Sequence, residues 1–139
     1  MSGYSDDVVK QKLSALNETQ DSIVTTAQWL MFHRRQAQRT AELWLHKVKD
    51  QHSTPAKKVN LVYLANEVVQ QSKARKKEDF VNAFSPLVGE GMAVAYKGAP
   101  ADVQGKLKRV SEVWRQRQIF DQATQEAIEA HLMGVLSYV

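Results

Sequence analysis

The chain contains no cysteine among its 139 residues. That excludes disulfide frameworks, thiolate metal centres and cysteine nucleophiles. Glycine and proline are scarce, at six and three residues, and they fall at the boundaries between apolar-periodic segments. No apolar run approaches the ~20 residues of a membrane span. The N-terminal stretch Met1-Ser2-Gly3-Tyr4-Ser5-Asp6-Asp7 is polar and acidic and does not read as a signal peptide. There is no GxSxG, no phosphate-binding glycine loop and no acid/base pair set by spacing, so an enzyme is not expected. His33, His46, His52 and His131 lack the i,i+4 partners of a helical zinc site, so no metal and no cofactor are expected. The net charge of +4 is a mild basic bias, suited to an acidic partner but too weak to announce nucleic acid by itself.

The pattern that remains is helical almost throughout. Ser5 reads as an N-cap before Asp6 and Asp7, opening a helix that runs to about Leu16. Asn17-Glu18-Thr19-Gln20 reads as a turn in which Asn17 or Thr19 caps a second helix, about 20–34. A third covers about 36–51. Thr54-Pro55, a cap followed by an N1 proline, starts a fourth that ends near Ala74. Further helices are predicted at about 77–84, 86–97 and 100–116, and Asp121 caps the last, about 122–134. Strand-period alternation does not compete with this. The expectation is one all-α domain, residues 1–139 with a core at about 5–132, built as a compact array of amphipathic helices. Trp29, Trp44 and Trp114 fall at helical positions and read as core.

Two helical faces stand out. In Leu61 to Lys73, residues Tyr63, Asn66, Glu67 and Gln70 share an arc of roughly 100°, opposite Leu61, Leu64, Ala65, Val68 and Ser72. A phenol, two amides and one carboxylate make a face suited to reading a peptide backbone, because amides both donate and accept. Tyr63 as a core aromatic and Asn66 as a tie between two helices explain the same residues equally well. The second face, over 106–117, sets Lys106, Arg109, Val113 and Arg117 in an arc of about 80°. Arg109 and Arg117 would stand roughly 12 Å apart along a continuous helix. A planar guanidinium donates two parallel hydrogen bonds to a phosphate. The alternative is a solvated basic face with i,i+3 or i,i+4 pairs to Glu112 or Asp121. The run Lys73-Ala74-Arg75-Lys76-Lys77 reads as a solvated helix end or as a weak contact to RNA or acidic protein.

The segments LVYLANEVVQQSK at 61–73, KLKRVSEVWRQRQIF at 106–120 and KLSALNETQDSIVTTAQWL at 12–30 resemble the CTD-interacting domain, over about residues 5–132. The form they most resemble is the transcription-termination type. The resemblance implies a right-handed superhelical array of about eight helices, like that of the VHS and ENTH domains. It implies a nuclear, non-enzymatic module of a transcription-termination or RNA 3′-end-processing factor. Its ligand would be the C-terminal tail of the largest subunit of RNA polymerase II, repeats of Tyr-Ser-Pro-Thr-Ser-Pro-Ser, phosphorylated at the second residue. Further domains, often a coiled coil, would be expected beyond it, along with contacts to other processing or termination factors.

By the same resemblance Arg109, with Arg117 and Lys106, takes the phosphate. Asn66 and Glu67 anchor the turn and tyrosine of the peptide, although many relatives carry Asp where this chain has Glu67. Gln70 and Lys73 flank the groove, with Val113 on the same face. Gln20 and Ser22 form one wall. Ile119, close behind Arg117, reads equally as packing for a peptide proline or as core. Two rivals belong to other classes: a membrane-trafficking adaptor that binds phosphoinositides or sorting peptides, and a plain RNA-binding helical domain. The acidic start Ser5-Asp6-Asp7 suits a lipid-facing helix poorly, so no membrane partner is expected.

Overall fold

Four helix starts are fixed by side chains that accept from their own first turn. A computed structural model describes residues 3–133 of the chain. Ser5 Oγ accepts from the Val8 amide at 3.2 Å and begins α1 (Asp6–Ala15). Thr19 Oγ1 accepts from Ser22 N at 3.1 Å and begins α2 (Gln20–Phe32). Of the two candidate caps in that turn, Thr19 holds the position, while Asn17 Oδ1 takes the Thr19 amide at 2.9 Å. Thr54 caps α4 (Pro55–Ala74) through the Lys57 amide, with Pro55 in its first turn. Asp121 caps α8 (Gln122–Leu132) through Thr124 N at 2.8 Å, a bond that holds its carboxyl below the ordinary range. Between them lie α3 (Ala37–Lys49), α5 (Asp79–Phe84), α6 (Val88–Tyr96) and α7 (Ala101–Gln116). Among the described residues there are eight α-helices and no strand.

Two details depart from the periodicity. Residues Arg34–Gln36 form a single 3-10 turn ahead of α3, which tightens the α2–α3 corner with i→i+3 bonds. The helices expected from 77 and 86 begin at Asp79 and Val88, because the turns before them consume the extra residues. No helix is long and apolar enough to cross a membrane among the described residues.

α4 is the central element. Val59, Leu61, Val62, Leu64, Ala65, Val68, Val69 and Ser72 are all buried, and the helix packs against α2, α5, α6 and α7. Trp44 of α3 locks the arrangement: it is buried, lies edge-on to Phe84 at 5.1 Å, and donates its indole N–H to the Leu61 carbonyl at 2.7 Å. Trp114 does the same on the other side, buried and edge-on to Phe120 at 5.2 Å. Trp29, by contrast, is only half-buried, with Lys12 Nζ over its ring at 4.7 Å.

α7 and α8 are clasped by Arg115 and Glu129. Arg115 Nη2 donates to Glu129 Oε1 at 2.7 Å, which holds the Glu129 carboxyl below its usual value. The turn between them is a left-handed cap. Gln118 sits at φ 52°, with its N–H on Arg115 O and the Ile119 N–H on Trp114 O, both at 3.1 Å. A side chain with a Cβ is strained there, and glycine is not. Gln118→Gly is therefore expected to raise stability by about 0.5–1 kcal/mol, the relief of strain exceeding the extra freedom glycine gives the unfolded chain. Denaturant titration with unchanged m-value checks it; a lowered midpoint would contradict the strained-cap account.

Candidate functional site

α4 presents one half-buried strip to the outside. Tyr63, Asn66, Glu67, Gln70 and Lys73 all lie on it, each partly exposed, while the other side of the helix is core. α7 runs alongside, and between the two helices opens a groove of about 390 Å³. Tyr63 and Asn66 line it from α4, and Lys106, Arg109 and Val113 line it from α7. These five are residues that the sequence singles out. Asp102, Gly105 and Val110 complete the lining. Asp102 was legible as the next position up the 106–109–113 stripe, one helical turn before Lys106. Gly105 leaves the wall open, since a Cβ there would meet nothing within 4 Å.

The groove floor is held by a chain of side-chain hydrogen bonds. The Trp114 indole N–H donates to Asn66 Oδ1 at 2.8 Å. Indole nitrogen is only a donor, so the atom facing it on Asn66 must be oxygen. Gln70 Nε2 donates to the same oxygen at 2.6 Å. Gln70 is thereby oriented too, and its own Oε1 accepts from Arg117 Nη1. Asn66 Oδ1 thus carries two donors, and the Asn66 amide nitrogen donates to no described residue. What Asn66 offers the groove is a pair of N–H donors.

Electrostatically the groove is cationic at one wall. Among the described residues Lys106 and Arg109 form no ion pair, and both are exposed. Asp102 contributes the lining's single carboxylate, so the three side chains leave a net positive charge at the α7 wall. The arrangement supplies hydrogen-bond donors and positive charge above an apolar base of Val110 and Val113. It can seat an anionic group with an apolar neighbour.

The remaining sequence candidates fall outside this cavity. Glu67 lies on the α4 strip but takes no hydrogen bond from the described residues. Lys73 Nζ reaches the Ile119 carbonyl at 3.4 Å and Glu78 at 3.6 Å, so it braces the α7–α8 turn. Ile119 is buried, 3% exposed, as the apolar residue closing the left-handed cap, and offers no surface to a peptide. Gln20 is exposed at the start of α2 and does not line the groove. Ser22 is spent within its own turn, its Oγ accepting from Asn17 N at 3.1 Å. Arg117 is not gathered beside Arg109, because α7 ends at Gln116 and its guanidinium turns to Gln70. Among the described residues neither Glu112 nor Asp121 pairs with Arg109 or Arg117.

Residues 7–128 match the family model described as the CID domain. The chain is 46% identical over 114 residues to the UPF0400 protein C337.03 of Schizosaccharomyces pombe, covering 82% of this chain and 29% of that protein. It is 29% identical over 134 residues to the human regulation of nuclear pre-mRNA domain-containing protein 1A, covering 96% of this chain and 42% of the relative. The human 1B protein of the same name is 29% identical over 120 residues, covering 86% and 36%. The chain therefore spans less than half the length of these curated relatives. The solved structure of the CID of Ctk3 superposes with a TM-score of 0.78 over 92% of each chain at 14% identity, a likeness of fold.

Proposed function

The chain belongs to the CID domain family, and from that premise we propose that it is a non-catalytic module that binds the heptad-repeat tail of RNA polymerase II in the nucleus. It acts in transcription and pre-mRNA processing; the names of its relatives refer to the regulation of nuclear pre-mRNA. Within that role it reads repeats phosphorylated on the second residue, a serine, and so brings a termination or 3′-end-processing factor to the polymerase.

The observation that carries this reading is the unpaired Arg109 guanidinium beside Lys106, over a groove whose amide donor is oriented by Trp114. Phosphorylation adds about −1.5 to −2 charge at neutral pH and three acceptor oxygens. A net positive wall with a planar fork of donors favours that group over a plain hydroxyl. Tyr63 and Asn66 hold the peptide turn, Asn66 donating to a peptide carbonyl, with Glu67 at the flank. Val113 packs on the apolar part of the repeat. Gln70, Arg117 and Trp114 position Asn66 and do not touch the phosphate.

Fluorescence anisotropy with two-repeat peptides tests it. The phosphorylated peptide is expected to bind at micromolar concentration, about −8 kcal/mol, and the unmodified one at least about tenfold more weakly. Raising salt should weaken the first more than the second. Equal affinity for both peptides would sink the phosphate reading while leaving the tail-binding role standing.

A further inference from the structure

A second surface lies on the far side of α4. Ser72 and Arg75 stand nine residues after Tyr63 and Asn66, which places them about 180° round the helix and ~13 Å along it. There the C-terminal ends of α2 and α4 meet the start of α5 around a groove of about 310 Å³. Its apolar part is Met31, Phe32 and Phe80, and its rim carries Arg34, Arg75 and Lys77. Phe32 is 84% exposed, one of two large apolar side chains left in water among the described residues. Its ring lies T-shaped to His33, with 5.1 Å between ring centroids.

The charge around this groove is lopsided. Residues 34–35 and 73–79 hold six cationic side chains against two carboxylates. Both carboxylates are engaged, Glu78 with Lys73 at 3.6 Å and Asp79 with Arg34 at 3.7 Å. Arg35, Arg75, Lys76 and Lys77 form no ion pair among the described residues. The backbone there is fixed rather than frayed: Lys76 sits at φ 58°, and the Lys77 N–H closes on the Ser72 carbonyl at 2.9 Å. The C-termini of α2 and α4 both end at this groove and contribute roughly half a negative charge each. That offsets only a minor part of the net four positive charges.

We propose that this groove docks an acidic peptide segment with an aromatic or aliphatic anchor. The anchor packs on Phe32 and Met31, and flanking carboxylates meet Arg75 and Lys77. Charge complementarity names the sign of the partner. An apolar patch with a single exposed aromatic ring, rather than a row of open aromatic faces, favours a peptide side chain over stacked bases. Because the site faces away from the α4–α7 groove, the two ligands can be held together, one on each side of α4.

The test uses a labelled peptide of alternating Asp and Glu around one central Phe, the same peptide with that Phe replaced by Ser, and an oligouridylate of equal length. The acidic Phe peptide is expected to bind, and to lose at least about tenfold when its Phe is replaced or in Phe32→Ser. The double variant Arg75→Glu, Lys77→Glu should abolish it. Phe32→Ser should leave binding of the phosphorylated tail peptide and the melting temperature unchanged, since the side chain is exposed. Arg109→Glu should leave the acidic peptide untouched, so failure here is separable from failure of the tail-binding reading. Indifference to the anchor, tighter binding of the oligouridylate with loss in the same variants, loss in Arg109→Glu, or no binding at all would each overturn the proposal.

Discussion

Arg109→Glu is expected to weaken binding of the phosphorylated two-repeat peptide by about a hundredfold or more, roughly 2.7 kcal/mol. The figure has two parts. A charge-assisted hydrogen bond to phosphate contributes about 1.5–3 kcal/mol, and its removal leaves the anion facing Lys106 alone. Reversal then turns the Asp102, Lys106 and residue-109 set from net positive to net negative, which repels the phosphate at close range. The unmodified peptide carries no such group and should change by less than about threefold, or ~0.65 kcal/mol. Arg109→Lys should fall between, since an ammonium keeps the charge and loses the fork. Because Arg109 is exposed and forms no ion pair among the described residues, the melting temperature should hold in all three proteins, which separates a binding loss from unfolding. If anisotropy showed the reversed variant binding the phosphopeptide as well as the parent, Arg109 would not be the phosphate ligand. Lys106 would be next to test.

The α4 strip was legible because helical periodicity is a local property. The arc of Tyr63, Asn66, Glu67 and Gln70 is half-buried at every position, and the opposite arc of Leu61, Leu64, Ala65, Val68 and Ser72 is buried at every position. Caps at Ser5, Thr19, Thr54 and Asp121 were legible for the same reason, as each bond spans three residues. What the sequence hid depends on partners far along the chain. Asn66 serves both of the roles that its pattern left open: its oxygen ties α4 to α7 through Trp114, and its nitrogen faces the groove. That division follows only once Trp114, 48 residues away, is placed. The arc that sets Arg117 beside Arg109 assumes a continuous helix, and α7 ends at Gln116. The left-handed Gln118 ends its last turn, and Gln70, 47 residues away, takes the guanidinium. The same turn decides between the two readings of Ile119 in favour of core.

Gly91→Ala is expected to cost about 2–3 kcal/mol, the upper part of the range for an extra methyl in a packed core. A Cβ at Gly91 would lie 2.6 Å from Trp44 Cζ3, and closer still to Cη2, inside the van der Waals shell of a ring that is 1% exposed. The ring has little room to give. Phe84 meets it edge-on, and its N–H is tied to the Leu61 carbonyl at 2.7 Å. Alanine is the better helix former by about 0.8–1 kcal/mol, so the net loss measures a steric term larger still. Leu61 lies two residues before Tyr63, so a displaced Trp44 also disturbs the floor of the α4–α7 groove. Gly105→Ala is the matched control, because a Cβ there meets nothing and the substitution should be neutral or stabilising by up to about 1 kcal/mol. Thermal unfolding should then place the two single variants on opposite sides of the parent, with Gly91→Ala lower by roughly 8–12 °C. Trp44→Phe, which shrinks the ring, should reduce the added cost of Gly91→Ala below its cost in the parent. A strictly additive pair, or a Gly91→Ala protein that melts with the parent, would mean that Trp44 has room to move. The lock between α3, α6 and α4 would then be weaker than the packing implies.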